Sequence, residues 1–421
     1  MLQFQTGRYC GADEAAHCLR VAALSRRVVS YLPLADSVKQ AVELAATVHE
    51  IWSPVIKAAE WPRMLEVLSA GQPLPSSDAC ALAFRILAMR AGATGAPVSE
   101  ADRVIKVAAE ILEVCNTFDE AVEFSAFERV GPAAAIAGFH QGIGSSFNRP
   151  VRQALTRATL SDAGARQYEH LPVLPKAALK IMRTSDENTS PAELQQIAST
   201  DPVLCARILQ AANSARFGGR EPVTRVTDAA ARLGVPLARK VLLSACFAPM
   251  FASRALNDLW KHSQEIAAAA YEAARHASFD PDVAYTAGLL HDIGRLVFKT
   301  GNAASQAKLL TWKSDGFPGT YAETLTYGKD HAAVGAELLR NWELPKILVD
   351  AVEHHHQPEM SDSVLASLLF LAEEWHREKS CDAAEGIAAP LRRAHAEQTA
   401  GFTLEVFAPW EGRSDLLAIA C

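Results

Sequence analysis

Helical periodicity restricts this chain more than any other feature. Windows such as Ala35 to Trp52, Glu100 to Val114 and Trp260 to His276 carry apolar residues at intervals of three and four. Period-two runs rich in β-branched residues are almost absent. The expected fold class is therefore all-α. Starts and stops are legible as well: Ser190-Pro191 and Asp201-Pro202 put Pro in a first helical turn, and Gly218-Gly219 after "LQAANSARF" reads as a helix end. The stretch "SSFNRPVRQALTRATLSDAGARQYEHLPVLPK" gathers Gly, Ser, Asp and Pro behind an amphipathic helix, Pro150 to Thr159, and places a domain boundary between about Asp162 and His170.

At 421 residues, 49% of them hydrophobic, the chain can build two or three domains around sizeable cores. A formal net charge of −7 gives no global attraction to nucleic acid or anionic lipid. Basic clusters such as "RRVVSY" and "LRRAH" read as solvated helix faces, so nucleic-acid binding is not expected. The cysteines Cys10, Cys18, Cys80, Cys115, Cys205, Cys246, Cys381 and Cys421 are scattered without a Cys-x-x-Cys, and the opening residues lack a signal-peptide apolar core. Reduced thiols in a bacterial-type cytoplasm are expected. Apolar runs such as "SVLASLLFLA" stop well short of the roughly 20 residues of a membrane span.

Two segments share one grammar. "HCLRVAALSRRVVSYLPLADSVKQAVELAATVHE", His17 to Glu50, and "HSQEIAAAAYEAARHASFDPDVAYTAGLLHD", His262 to Asp292, each open a helix on His and turn at Pro33 or Pro281. Each then closes an Ala-rich helix on His followed by an acid. The chain is expected to hold two related helical units.

Chemistry concentrates in the second. Of thirteen histidines, nine lie at or after position 262, among them His262, His291, His331 and the run His354-His355-His356. Adjacent residues on a helix project about 100° apart, so His291 and Asp292 can serve one divalent cation only at a helix end or kink. Gly294 follows as such an end would require. Imidazole with carboxylate suits iron, manganese or zinc, and the lack of nearby cysteine argues against a structural zinc site. Each residue also has a plainer reading. His354 to His356 suits an ordinary helix C-terminus, where the dipole favours imidazolium. Trp260, Trp342 and Trp375 read as core, and Asn213 and Ser214 as local backbone hydrogen-bonders.

"LLHDIGRL" resembles the signature of the HD superfamily of metal-dependent phosphohydrolases. The ordered segments "LPVLPKAALKIMR", "ASTDPVLCARILQAANSARFG", "VTDAAARLGVPLARKVLL", "DHAAVGAELLRNWELPKILVDAVEHHHQPE" and "LLFLAEEW" resemble the HDOD family over roughly residues 165 to 380. That resemblance implies a two-lobed helical bundle used in bacterial signalling, one that works by protein interaction rather than catalysis. More faintly, the first 160 residues are similar to an HD-GYP domain: "HCLRVAALSRRV" resembles its opening helix, "ELAATVHE" its His-Asp helix and "VIKVAAEILEVCNTFDEAVEF" its late helix. There the expected Asp after His49 is Glu50, the late Asp falls on Asn116, Asn148-Arg149-Pro150 replaces Asp-Pro, and the paired histidines and the Gly-Tyr-Pro motif are missing. A metal centre in that region is not expected.

The domains expected are residues 1–162, HD-GYP-like but degenerate; 163–380, HDOD, with lobes at about 168–255 and 256–380; and an extension at 381–421, packing across both domains. As the resemblance implies, metal ligands fall on His262, His291, Asp292, His331, His355 and His356, with His354 an alternative register and Glu373 standing where the superfamily has Asp. Arg295 takes the place of a phosphate-contacting Lys and is able to grip phosphate bidentately. The preferred expectation is a cytoplasmic signalling regulator that binds a protein or a nucleotide. The alternative is a metal-dependent phosphodiesterase acting on a cyclic dinucleotide or other nucleotide phosphate. Its two ions, about 3.5–4 Å apart, would activate water, with Asp292 and Arg295 catalytic. Against it, Gln357-Pro358-Glu359 follows the histidines where a substrate segment would lie.

Overall fold

The computed structural model describes residues 12–51, 61–62, 65, 76–91, 100–125, 130–143, 146–160, 172–183, 189–214, 217, 221–380 and 389–410. Among these there is helix and no strand. In chain order the helices are α1 (Ala12–Ser30), α2 (Asp36–Val48), α3 (Ser77–Arg90), α4 (Glu100–Phe124), α5 (Pro132–Gly142), α6 (Arg149–Thr159), α7 (Lys176–Arg183), α8 (Pro191–Ala198), α9 (Pro202–Ala212) and α10 (Val226–Leu233). They continue as α11 (Val235–Phe247), α12 (Asn257–His276), α13 (Pro281–Leu290), α14 (Ile293–Lys299), α15 (Ala303–Ser314), α16 (Gly319–Tyr327), α17 (His331–Asn341), α18 (Lys346–His354), α19 (Val364–Ser380) and α20 (Ala389–Ala400).

Local chemistry sets many of these boundaries. Ser190 and Glu193 form a reciprocal capping box ahead of α8, with Pro191 in the first turn. Asp201 caps α9 by accepting from the Val203 amide, and Asp280 caps α13 by accepting from the Asp282 and Val283 amides. The α9 helix stops at Ala212. Asn213 then clamps the following loop, its Nδ2 donating to Val223 O and its Oδ1 accepting from Val223 N, both at 2.8 Å. Gly218-Gly219 and the boundary at Asp162–His170 lie outside the described residues.

The chain divides into two compact units. The first contains residues up to Gln167 together with Ala303–Asp330, a segment expected in the HD-like lobe. Side-chain chemistry explains its membership. Trp312 of α15 is fully buried, with the Arg27 guanidinium 3.6 Å over its ring and Phe317 edge-on at 4.8 Å. Asp315 accepts from Arg26 and Arg27, and Tyr321 donates its hydroxyl hydrogen to Val122 O at 2.7 Å. The core of this unit joins Trp312, Tyr321 and Leu325 to Leu24, Val42, Phe118 and Leu155 from α1, α2, α4 and α6.

The second unit holds α7–α14, α17–α19 and α20. Helix α13 lies against α12 so closely that a Cβ on Gly288 would fall 2.4 Å from Ala267 Cα. The described residues from 389 onward make these contacts within this unit: α20 packs on α19, Arg393 binds Glu378, and Phe407 stacks on Trp375 at 5.7 Å. The three tryptophans read as core are only part-buried: Trp260 stacks on Phe251 at 4.9 Å, and Trp342 donates to Pro172 O at 3.0 Å. Among the described residues no single helix is long and apolar enough to cross a membrane. The apolar pair Val226–Leu233 and Val235–Phe251 is bent by 118°.

Candidate metal centre

Three helix junctions and two helix interiors of the second unit converge. Helix α13 ends at Leu290, His291 follows as its C-cap, and Asp292 is the N-cap of α14. This break is what lets adjacent side chains turn to one place. Gly294 does not terminate a helix. It is the second residue of α14, where a Cβ would stand 2.0 Å from the His331 carbonyl oxygen, so its bareness permits α14 to touch the start of α17. His331 opens α17, His355 caps α18, His262 comes from α12 and Glu373 from α19.

The donor atoms form two groups that share one carboxylate: His262, His291, Asp292 and Glu373 in one, and Asp292, His331, His355 and His356 in the other. Asp292 Oδ2 faces the first, 3.7 Å from His262 Nε2 and 3.5 Å from His291 Nε2. Its Oδ1 faces the second, 3.0 Å from His331 Nε2 and 3.8 Å from His355 Nε2. All seven residues predicted from the sequence are thus brought together. His354 is not among them; its Nδ1 donates to Asp350 O at 2.9 Å, one turn back on its own helix. Sequence reasoning missed His376, whose ring packs edge-on against His262 at 4.8 Å and whose Nδ1 lies 3.4 Å from Glu265.

Tautomers decide what these atoms offer. His291 Nδ1 donates to Gly288 O at 2.8 Å and His355 Nδ1 to Val352 O at 2.7 Å, so in the neutral rings both Nε2 atoms present lone pairs inward. Nε2 of His331 lies 3.3 Å from that of His355 and 2.9 Å from that of His356. His291 Nε2 stands 2.7 Å from Glu373 Oε1, and Arg295 Nη1 2.9 Å from Asp292 Oδ2. Yet His291 Nε2 and both Asp292 oxygens are buried without an aligned hydrogen bond. Short separations without alignment are expected of donors aimed at a shared point rather than at one another. With metal–nitrogen bonds of about 2.0–2.1 Å, neighbouring ligand atoms of an octahedron or tetrahedron stand about 2.8–3.4 Å apart, close to the spacings seen. The residues present therefore fit divalent cations.

Electrostatics points the same way for Asp292, Glu373, His355 and His356, though not for His262. Burial alone would raise the Asp292 carboxyl, but Arg295 and the His291 and His331 rings hold it well below the usual carboxylate range. Burial, then the neighbouring His291 and His331, push His355 down to about 3, and burial with His355 and His331 does the same in direction to His356. Burial would likewise lift Glu373, but His262 and His291 keep it well below its ordinary value. Against the lowering effect of burial, Glu373 raises His262. Ionised carboxylates beside neutral imidazoles are the forms that ligate metals.

The first unit contains a counterpart of different chemistry. His49 follows α2 as its C-cap and donates Nδ1 to Ala46 O at 2.7 Å, as His291 does to Gly288. The His17–His49 ring pair measures 5.1 Å and 58°, and His262–His291 measures 5.3 Å and 61°. Asn116 Oδ1 stands 2.7 Å from His49 Nε2 and 3.0 Å from His17 Nε2, where the other centre has Glu373. Two of the carboxylates there are engaged by the protein's own cations: Arg20 donates to Asp119 at 2.8 and 2.9 Å and to Glu123 at 2.8 Å, and His17 Nδ1 to Asp119 at 2.7 Å, while Glu50 stands 3.1 Å from His49 Nε2. Donor atoms of His17, His49 and Glu50, and of His17, Asp119 and Glu123, also lie within 4.8 Å of one another, but Asp119 and Glu123 are already held by Arg20. Asp119, Arg20 and Glu123 were not legible from the sequence, since the partners lie 99 to 103 positions apart.

The family model that matches this chain is the HDOD domain, over residues 171–358. Residues 171–358 are an HDOD domain. Its span covers six of the seven clustered residues; Glu373 lies beyond it. An uncharacterised protein of Treponema pallidum is 24% identical over 216 residues, 49% of this chain and 42% of that one. Ribonuclease Y of Opitutus terrae is 31% identical over 159 residues, 38% of this chain and 22% of the enzyme. The chain therefore spans less than half the length of these curated relatives. Among solved structures, an HDOD domain protein of unknown function from Geobacter sulfurreducens aligns with a TM-score of 0.51 at 22% identity, covering 60% of this chain and 93% of that one. A candidate signal-transduction protein from Marinobacter aquaeolei aligns with a TM-score of 0.50 at 23% identity, covering 59% of each. Both likenesses concern the fold.

Proposed function

We propose that this chain is a cytoplasmic signalling regulator whose HDOD domain acts by binding a protein or nucleotide, with a divalent metal centre that organises the site without turning over substrate. The observation that carries this reading is the contact of Arg295 with Asp292. The cation that the sequence puts in position for a phosphate is bound to a ligand carboxylate. The first unit supports it as well: the same His-capped helix pair persists there with internal ion pairs in place of a complete donor set, which suits a scaffold that has lost its chemistry. We read it as a degenerate HD-GYP-like copy.

A second reading, phosphodiesterase, is favoured by the way the two Asp292 oxygens face two donor groups. A bound pair of cations would polarise a phosphate and acidify a water. Asp292 would hold both groups in register, His291 and His355 would keep their lone pairs inward through their carbonyl bonds, and Arg295 would have to leave Asp292 to reach substrate. Turnover of cyclic dinucleotides and short RNA by metal-supplemented full-length protein, wild type against Asp292→Asn, separates the readings. The regulator predicts no Asp292-dependent hydrolysis; a robust Asp292-dependent rate overturns it.

A further inference from the structure

A cation must pass from water to a donor cluster whose inner members are closed: the side chains of His291, Asp292, His331 and His355 are 0% exposed. Exposure rises through the first donor group, to 12% at Glu373 and 19% at His262. The two helices that carry this outer pair repeat it one turn on. Three residues after His262 on α12 stands Glu265, and three residues after Glu373 on α19 stands His376. Residues three apart share a helix face and lie about 4.5 Å apart along the axis.

The second rung therefore sits beside the first with its chemistry exchanged. In the first, His262 Nε2 of α12 is 2.9 Å from Glu373 Oε1 of α19; in the second, Glu265 Oε2 of α12 is 3.4 Å from His376 Nδ1 of α19. The two rings meet edge-on at 4.8 Å, which joins the rungs directly. Glu265 and His376 are 24% and 26% exposed, so the second rung is the wetter. The exposed Lys261 lies one turn before Glu265, 3.9 Å from its carboxylate.

Taking a hydrated dication into a closed cluster in one step is prohibitively costly, because its water is lost before protein ligands replace it. A carboxylate and an imidazole at the rim replace part of that shell, and the next pair replaces more. Arg295 is more open still, 31% exposed and 2.9 Å from Asp292, but its guanidinium presents an incoming ion with a like charge.

We propose that Glu265 and His376 form the entry station of the metal centre: a hydrated divalent ion is caught there by one carboxylate oxygen and one imidazole nitrogen, then handed to Glu373 and His262. The inference rests on the reading of the inner cluster as a metal centre. It gives the station no resident ion, since two protein ligands fall short of the three or four of a stable site.

Loading kinetics of the full chain, stripped of metal by chelator, test it. Zinc uptake is followed by stopped flow with a fluorescent zinc indicator, release by transfer to excess chelator, and affinity by equilibrium competition. His376→Gln and Glu265→Gln should each slow uptake and release at least fivefold, by the same factor, and leave affinity and the number of ions bound within twofold of wild type. A group that only positions His262 would instead change affinity. Lys261→Glu serves where those variants do not fold: it should load at least twofold faster at low ionic strength, and an unchanged rate there overturns the proposal. Uptake at the wild-type rate in either neutral variant, or a loss of affinity as large as the slowing, overturns it too. Wild-type protein that takes up no zinc fails the metal-centre reading itself, and this inference with it.

Discussion

Gly294→Ala tests how the HD pair is held against His331. An added Cβ would stand 2.0 Å from His331 O, 2.9 Å from His331 C and 2.8 Å from Gly335 N, all backbone atoms. Carbon and oxygen need about 3.2–3.5 Å, so α14 and α17 must part by about 1 Å or more, and cores resist such shifts at a cost of about 1–3 kcal/mol or above. For a domain of this size that lowers Tm by roughly 2–4 °C per kcal/mol, so a loss of about 2–12 °C is expected. The same displacement carries His331 away from Asp292 Oδ1, now 3.0 Å distant, and should weaken metal binding at the second donor group at least tenfold. Gly138→Ala is the control: Gly138 is exposed on α5 with nothing within 4 Å of an added Cβ, so the exchange should be neutral or stabilise by about 0.5–1 kcal/mol. Scanning calorimetry and metal titration of both variants decide the matter. A Gly294→Ala protein that melts within a degree of wild type and binds metal equally would refute the close-approach argument.

Two further outcomes follow from the first unit. Trp312→Ala removes a fully buried indole under Arg27 and should cost about 3–5 kcal/mol; a fragment of residues 1–160, which lacks α15 and α16, should show no cooperative melt by circular dichroism. His17 is lowered by burial but raised more by Asp119, with Asn116, Arg20 and His49 around it, so its folded pKa lies above the unfolded value of 6.5. The stabilisation from its charged ring is full below about pH 6.5 and is lost as pH rises through the folded value. Denaturant unfolding of wild type and His17→Asn should differ most near pH 6 and converge at alkaline pH, and a pH-independent difference would contradict the ion pair.

The helices and the donor set were legible because each rests on short-range pattern. Apolar spacing identified α2, α4 and α12, and Pro191 and Pro202 marked helix starts, although α4 runs on to Phe124 beyond the window read. A His-Asp step required a helix break, and α13 breaks there. What escaped depends on contacts between distant positions. Periodicity shows that α15 has a face to bury but not that Trp312 belongs beneath Arg27. The choice among His354, His355 and His356 turns on where α18 ends, and Gly294 reads as a helix terminator until its distance from His331 is known. Arg20 and Asp119 carry no local mark of their pairing.

The central claim is that Asp292 is shared by two donor groups able to hold divalent cations. Metal content per chain, measured by mass spectrometry on protein purified anaerobically without chelators, tests it most directly when wild type is set beside Asp292→Asn. The account predicts about two ions of iron, manganese or zinc per wild-type chain and loss of both in the variant. Wild-type protein that binds no divalent ion even on titration, or a variant that keeps its full complement, would contradict it.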